Sequence, residues 1–148
     1  MNISDLLKPD AVLASLKVQS KKQLLQELSA RAALGTGLDP VSISAAVLKR
    51  EELGSTGLGA GVAIPHAIVP GLSRPFGILA RLKRALDFAA IDEQPVDIVF
   101  LLLLPHSPGS EQLSALAAVA RKLRNPAIVL KLRKARDKLE AYQALLTS

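Results

Sequence analysis

No cysteine occurs among the 148 residues, which excludes disulfides, thiolate metal ligands and a cysteine nucleophile and fits a reducing compartment. Tryptophan is absent too, and aromatic residues make up only 3% of the chain. Any core is therefore aliphatic, and any nucleic-acid surface lacks the stacking rings that single strands use. The two histidines, His66 and His106, come without a His-Glu-x-x-His pair, too few ligands for a dedicated metal site. The longest apolar run, Ile98 to Leu104, is far shorter than the roughly 20 residues of a membrane-spanning helix. Met1-Asn2-Ile3-Ser4-Asp5 puts an acid where a signal peptide carries its basic region. These absences predict one cytoplasmic domain spanning residues 1–148, not membrane-embedded, that needs no metal, nucleotide or other cofactor.

Hydrophobic residues are 49% of the chain and charged residues 22%, with a net charge of +6, a balance that suits a folded domain rather than a disordered one. The basic excess gathers in Arg81 to Arg84 and in Arg121 to Lys138. The plain reading of the second cluster is a solvated helix face; the other is a surface for an acidic protein partner. Specific nucleic-acid binding is not expected, since no reading motif accompanies the charge.

Along the chain, Ala11 to Val18 alternates loosely and reads as an opening strand. Ser20 caps a helix from Lys21 to about Leu34, with Leu24, Leu25, Leu28 and Ala32 on one face and Gly35 as its stop. Asp39-Pro40 opens a second helix that ends near Leu53, with Gly54 as its stop. Val62-Ala63-Ile64 reads as a short buried strand, Ala67 to Pro75 as a loop, and Phe76 to Arg84 as a strand. Leu86 to Pro95 reads as turns with a short edge segment. Val96 to Leu104 is nearly all apolar and predicts a central strand covered on both faces. After a loop at Pro105 to Gly109, Ser110 is placed to cap a helix turning Leu113, Leu116, Ala117, Ala120 and Leu123 inward, and helices at about Ala127 to Ala135 and Asp137 to Leu146 close the chain. The pattern predicts an α/β fold: a single domain with a mixed β-sheet and helices on both faces.

The stretch with the most chemistry is Gly54-Ser55-Thr56-Gly57-Leu58-Gly59-Ala60-Gly61-Val62-Ala63-Ile64-Pro65-His66. Ala60 and Gly61 stand where a P-loop requires Lys and Ser/Thr. A dinucleotide fingerprint follows a strand and opens a helix, the reverse of the order here. Gly54-Ser55-Thr56-Gly57 is not the Gly-x-Ser-x-Gly elbow of a serine hydrolase. His66 has the default reading of a structural histidine at a strand end. Its setting supports another: a neutral imidazole offers one ring nitrogen as a nucleophile, the glycine loop can present N–H groups to an anion, and Arg50 can add a charge-assisted hydrogen bond. Together these suit a phosphorylated histidine. Pro65 is expected to send His66 off the strand end at a fixed angle.

Arg50 to His66 resembles the signature of the mannitol/fructose-type enzyme IIA domains of the bacterial phosphotransferase system, and the likeness continues through Asp92-x-Gln94-Pro95-Val96-Asp97-Ile98-Val99-Phe100-Leu101-Leu102 and the leucine-rich helix after Ser110. The stand-alone length and the Ser20-Lys21-Lys22 helix start make it most similar to the nitrogen-related, regulatory subgroup. The resemblance implies that His66 accepts a phosphoryl group from a small histidine phosphocarrier protein, with Arg50 beside it and Ser55, Thr56 and Gly57 shaping the pocket. It implies a histidine phosphoryl carrier rather than a turnover enzyme, whose phosphorylation state governs contact with a kinase or transporter downstream. The alternative is a sugar-specific enzyme IIA that hands phosphate to a permease component. The family often has a second histidine where this chain has Gln112, a side chain that donates a neutral hydrogen bond and carries no charge. His106 reads as a surface loop residue.

Overall fold

The computed structural model describes residues 2–106 and 111–146. A short helix α1 (Ile3–Leu6) and a 3-10 turn (Pro9–Ala11) precede strand β1 (Val12–Leu16); helices α2 (Lys21–Thr36) and α3 (Pro40–Glu52) follow. Three short strands come next, β2 (Gly57–Gly59), β3 (Val62–Ala63) and β4 (His66–Ile68), then the long strands β5 (Phe76–Leu86) and β6 (Val96–Leu104). The chain ends on α4 (Glu111–Leu123), α5 (Pro126–Lys134) and α6 (Lys138–Leu146). Among the described residues no helix is long and apolar enough to cross a membrane.

The sheet is mixed, ordered β1-β5-β6-β3-β2, with β4 also on β6. Strand β6 is its spine. Ile98, Phe100, Leu102 and Leu104 join α1, α4, α5 and α6 in one core layer, and Val99, Leu101 and Leu103 join α2 and α3 in the other. That alternation is the two-residue period of a strand read out on both faces, which is why the run is apolar throughout. Burying one such side chain contributes roughly 1.5–3 kcal/mol, so this single strand anchors both layers.

Three expectations change. Helix α2 does not stop at Gly35 but continues to Thr36, where Gly37 takes φ 76° and its N–H closes on the Ala33 carbonyl at 2.9 Å. A Cβ on Gly35 would stand 2.6 Å from Phe76 Cζ, so that glycine makes room for a ring inside the helix. In α4 the buried stripe is Ala115, Val119 and Leu123, while Leu113 is 71% exposed and Ala117 faces solvent. Apolar residues fill two adjacent stripes of this helix, and the 3.6-residue period does not choose between them. The proposed cap at Ser110 and most of the loop before it lie outside the described residues. Finally, the segment after His66 is not all loop, because His66–Ile68 pairs with β6.

Candidate active site

The glycine stretch folds into a tight hairpin. Strands β2 and β3 pair antiparallel around a turn in which Gly59 and Gly61 take φ of 93° and 82°, values that favour glycine. Behind Gly61 lie the Arg133 guanidinium and the Asp97 carboxylate, which leave no space for a Cβ. Arg133 forks onto Asp97 at 2.9–3.1 Å and donates to the Ala60 carbonyl at 2.7 Å. On the other side the Ala60 N–H donates to Asp92 at 2.9 Å. That bond, with a second from the Gln94 N–H, holds the Asp92 carboxyl below the usual carboxylate range.

From the hairpin the chain runs beside β6 in one parallel register, Val62 opposite Ile98 and His66 opposite Leu102. Pro65 interrupts this line because it has no N–H to give the ladder, though its carbonyl still accepts from Leu102 at 2.9 Å. His66 therefore does not leave the sheet at Pro65, as local rules suggest; it opens the next strand. Ala67 packs into the α2/α3 layer, so strand alternation puts His66 on the opposite face, that of the layer formed by α1, α4, α5 and α6.

The break at Pro65 has a chemical consequence. Nδ1 of His66 lies 2.7 Å from the carbonyl oxygen of Ile64, two residues back. A carbonyl only accepts, so Nδ1 carries the proton and Nε2 keeps its lone pair. Nε2 has no hydrogen-bond partner among the described residues, and the ring is half-buried.

The other expected residues are tied into the same backbone. Arg50, in the last turn of α3, donates through Nη1 to the Gly54 carbonyl at 2.9 Å. The Ser55 hydroxyl donates to the Phe88 carbonyl at 2.8 Å and accepts from the Gly57 N–H at 3.1 Å. Thr56 is buried, with both its N–H and its hydroxyl on the Glu51 carboxylate. The glycine loop was expected to present N–H groups to an anion; those of Thr56, Gly57 and Ala60 are taken by the protein's own oxygens. Gln112, at the start of α4, donates to the Pro105 carbonyl at 2.8 Å, just past the end of β6. Neither Arg50 nor Gln112 is hydrogen-bonded to the imidazole among the described residues.

Sequence reasoning missed Glu51, Lys21 and Asp92. A motif scan treats Glu51 as an ordinary acid at a helix end, and nothing local connects it to Lys21, thirty residues earlier. Thr56 lies five positions after Glu51, and the chain turning back beyond the end of α3 brings the two together.

A family model described as the phosphoenolpyruvate-dependent sugar phosphotransferase system, EIIA 2, matches residues 5–148. The chain belongs to this family. It is a component of a phosphotransferase relay, similar to the nitrogen-regulatory enzymes IIA. A nitrogen regulatory protein of Bradyrhizobium diazoefficiens is 51% identical over 145 residues, 98% of this chain and 95% of the relative. The crystal structure of nitrogen regulatory protein IIA-Ntr from Neisseria meningitidis superposes with a TM-score of 0.91 at 31% identity, covering 97% of this chain and 98% of that one. The fold also matches enzyme IIAMTL of Escherichia coli as solved in complex with phosphorylated enzyme IIBMTL, with a TM-score of 0.78 at 16% identity over 95% and 98% of the two chains. At that identity the likeness concerns the fold alone.

Proposed function

We propose that His66 is the phosphoryl acceptor of this enzyme IIA and that its Nε2 is the reacting atom. The observation that carries this is the 2.7 Å contact between Nδ1 and the Ile64 carbonyl, which leaves a lone pair on Nε2. Nε2 attacks the phosphorus of a phosphohistidine on a small phosphocarrier protein; the donor's N–P bond breaks, its electron pair returns to the donor imidazole, and a new N–P bond forms on His66. Transfer of this kind depends on positioning and charge stabilisation more than on proton movement. Arg50 uses one of its donors on Gly54; among the described residues the rest of its fork has no partner, which leaves it for phosphoryl oxygens.

A protein donor needs apolar contacts to dock on, and the segments that carry the site residues expose such side chains. Leu53, three residues after Arg50 in the chain, is 81% exposed; Ile68, on the His66 face of β4, is 45% exposed; Leu113, next to Gln112, is 71% exposed. Large apolar side chains left in water on the segments that carry Arg50, His66 and Gln112 suit transient protein contact. The likeness to nitrogen regulatory proteins supports a cytoplasmic regulatory role, in which the phosphorylation state of His66 selects a kinase or transporter partner.

Incubation with a phosphorylated histidine phosphocarrier, followed by mass spectrometry, tests the acceptor. The wild-type chain is expected to gain one acid-labile phosphoryl group on His66, and His66→Ala none; label on another residue contradicts the proposal. Regulation is tested by a complex with a kinase or transporter that His66→Asp disrupts. Passage of phosphate to a permease component and on to sugar supports instead the sugar-specific reading.

A further inference from the structure

One buried carboxylate plays no part in the transfer as described. Glu51 is 8% exposed, accepts from the Thr56 N–H at 3.2 and 3.3 Å and also from the Thr56 hydroxyl, and pairs with Lys21 at 2.6 Å. Lys21 is itself held, donating to the Phe88 carbonyl at 3.2 Å with its ammonium 4.4 Å above the Phe88 ring. The same carbonyl takes the Ser55 hydroxyl. Four segments of the chain therefore meet at Glu51 and Phe88: the start of α2, the end of α3, the hairpin, and the loop that carries Phe88.

From Thr56 two further hydrogen bonds lead to the imidazole. The Ile64 N–H donates to the Thr56 carbonyl at 3.1 Å, and the Ile64 carbonyl accepts from His66 Nδ1 at 2.7 Å. A buried charge is tolerated when paired and fully hydrogen-bonded, and such a network is rigid because each bond polarises the next. An imidazole without a fixed acceptor divides its proton between its two nitrogens, and only the Nδ1–H form can attack through Nε2.

We infer that Glu51 is a positioning residue for phosphoryl acceptance: by fixing Thr56 it fixes the Ile64 carbonyl, and so the tautomer and aim of the His66 ring. Lys21 holds the carboxylate in place. The inference rests on the proposal that His66 is the acceptor, and its effect on the ring can be read without any transfer.

The test uses the full chain with Glu51→Gln, Thr56→Val and Thr56→Ser. Long-range 15N correlation spectra report the His66 tautomer, circular dichroism the fold, and phosphocarrier assays the rate per folded molecule. Glu51→Gln is expected to stay folded, to lose the dominance of the Nδ1–H form, and to accept phosphate about tenfold more slowly, the scale of one lost hydrogen bond to a charged group. Thr56→Val, which keeps the N–H and loses the hydroxyl, falls between, and Thr56→Ser matches the wild type. A folded Glu51→Gln with wild-type tautomer and rate overturns the inference. If Glu51→Gln does not fold, Thr56→Val decides by the same two readouts. If the wild type itself takes no phosphate on His66, the proposed function fails, and the tautomer spectra still decide whether Glu51 positions the ring.

Discussion

The hairpin end of the molecule and its α5–α6 surface are both rich in charge, but they use it differently. Around the hairpin, each ion pair among the described residues joins distant parts of the chain: Lys21 to Glu51, and Arg133, which reaches from α5 to the hairpin, to Asp97. On the helical surface, Arg136 pairs with Glu140 one turn away with its side chain 88% exposed, and Lys131, Lys134 and Lys138 face solvent. Long-range pairs fix backbone positions against one another, whereas an i, i+4 pair adds little beyond helix propensity. What matters for the site is how far apart in sequence the paired charges are. Their density, which the composition shows, says little.

That contrast can be broken by substitution. Arg50→Ala should act most strongly on transfer, slowing acceptance by about one to two powers of ten, since a hydrogen bond to a charged group contributes roughly 1.5–3 kcal/mol; an unchanged rate in a phosphocarrier assay would remove Arg50 from the site. Arg133→Ala releases Asp97 and the Ala60 carbonyl together. Because that pair is about one-third exposed, the loss is discounted to about 1 kcal/mol, or a melting temperature lower by about 3 °C.

Asp92 gives a pH signature. Its folded carboxyl titrates below the ordinary value because of the Ala60 and Gln94 N–H groups, so its stabilising effect is present above the unfolded pKa of about 3.9 and is lost as pH falls through the lower folded value. Melting temperatures of wild type and Asp92→Ala should therefore differ at neutral pH and converge in acid; a constant difference would place the effect elsewhere. The smallest expected change is that of Arg136→Ala, under about 1 °C in melting temperature. A larger one would mean that the helical surface is tied into the fold after all.

Much of this architecture follows from local pattern. The Ser20 and Asp39 caps, the apolar run of β6 and the two helical layers were legible because each depends on residues close in sequence. Strand β4 was not, since three residues carry no period and its existence depends on a β6 partner far along the chain. The turn at Gly59 to Gly61 reads locally as a glycine loop, yet Asp92, Asp97 and Arg133 clamp it from distant segments. His66 and Arg50 stood out by their motif. The role of the Ile64 carbonyl needed the fold, because a backbone acceptor looks the same at every position of a sequence.

The central claim is that Nε2 of His66 bears the phosphoryl group, and 15N-resolved NMR of the phosphorylated protein tests it most directly. Phosphorus coupling to Nε2 is expected, with Nδ1 still protonated on the Ile64 carbonyl. Coupling to Nδ1, or a phosphoryl group on any other residue, would contradict it.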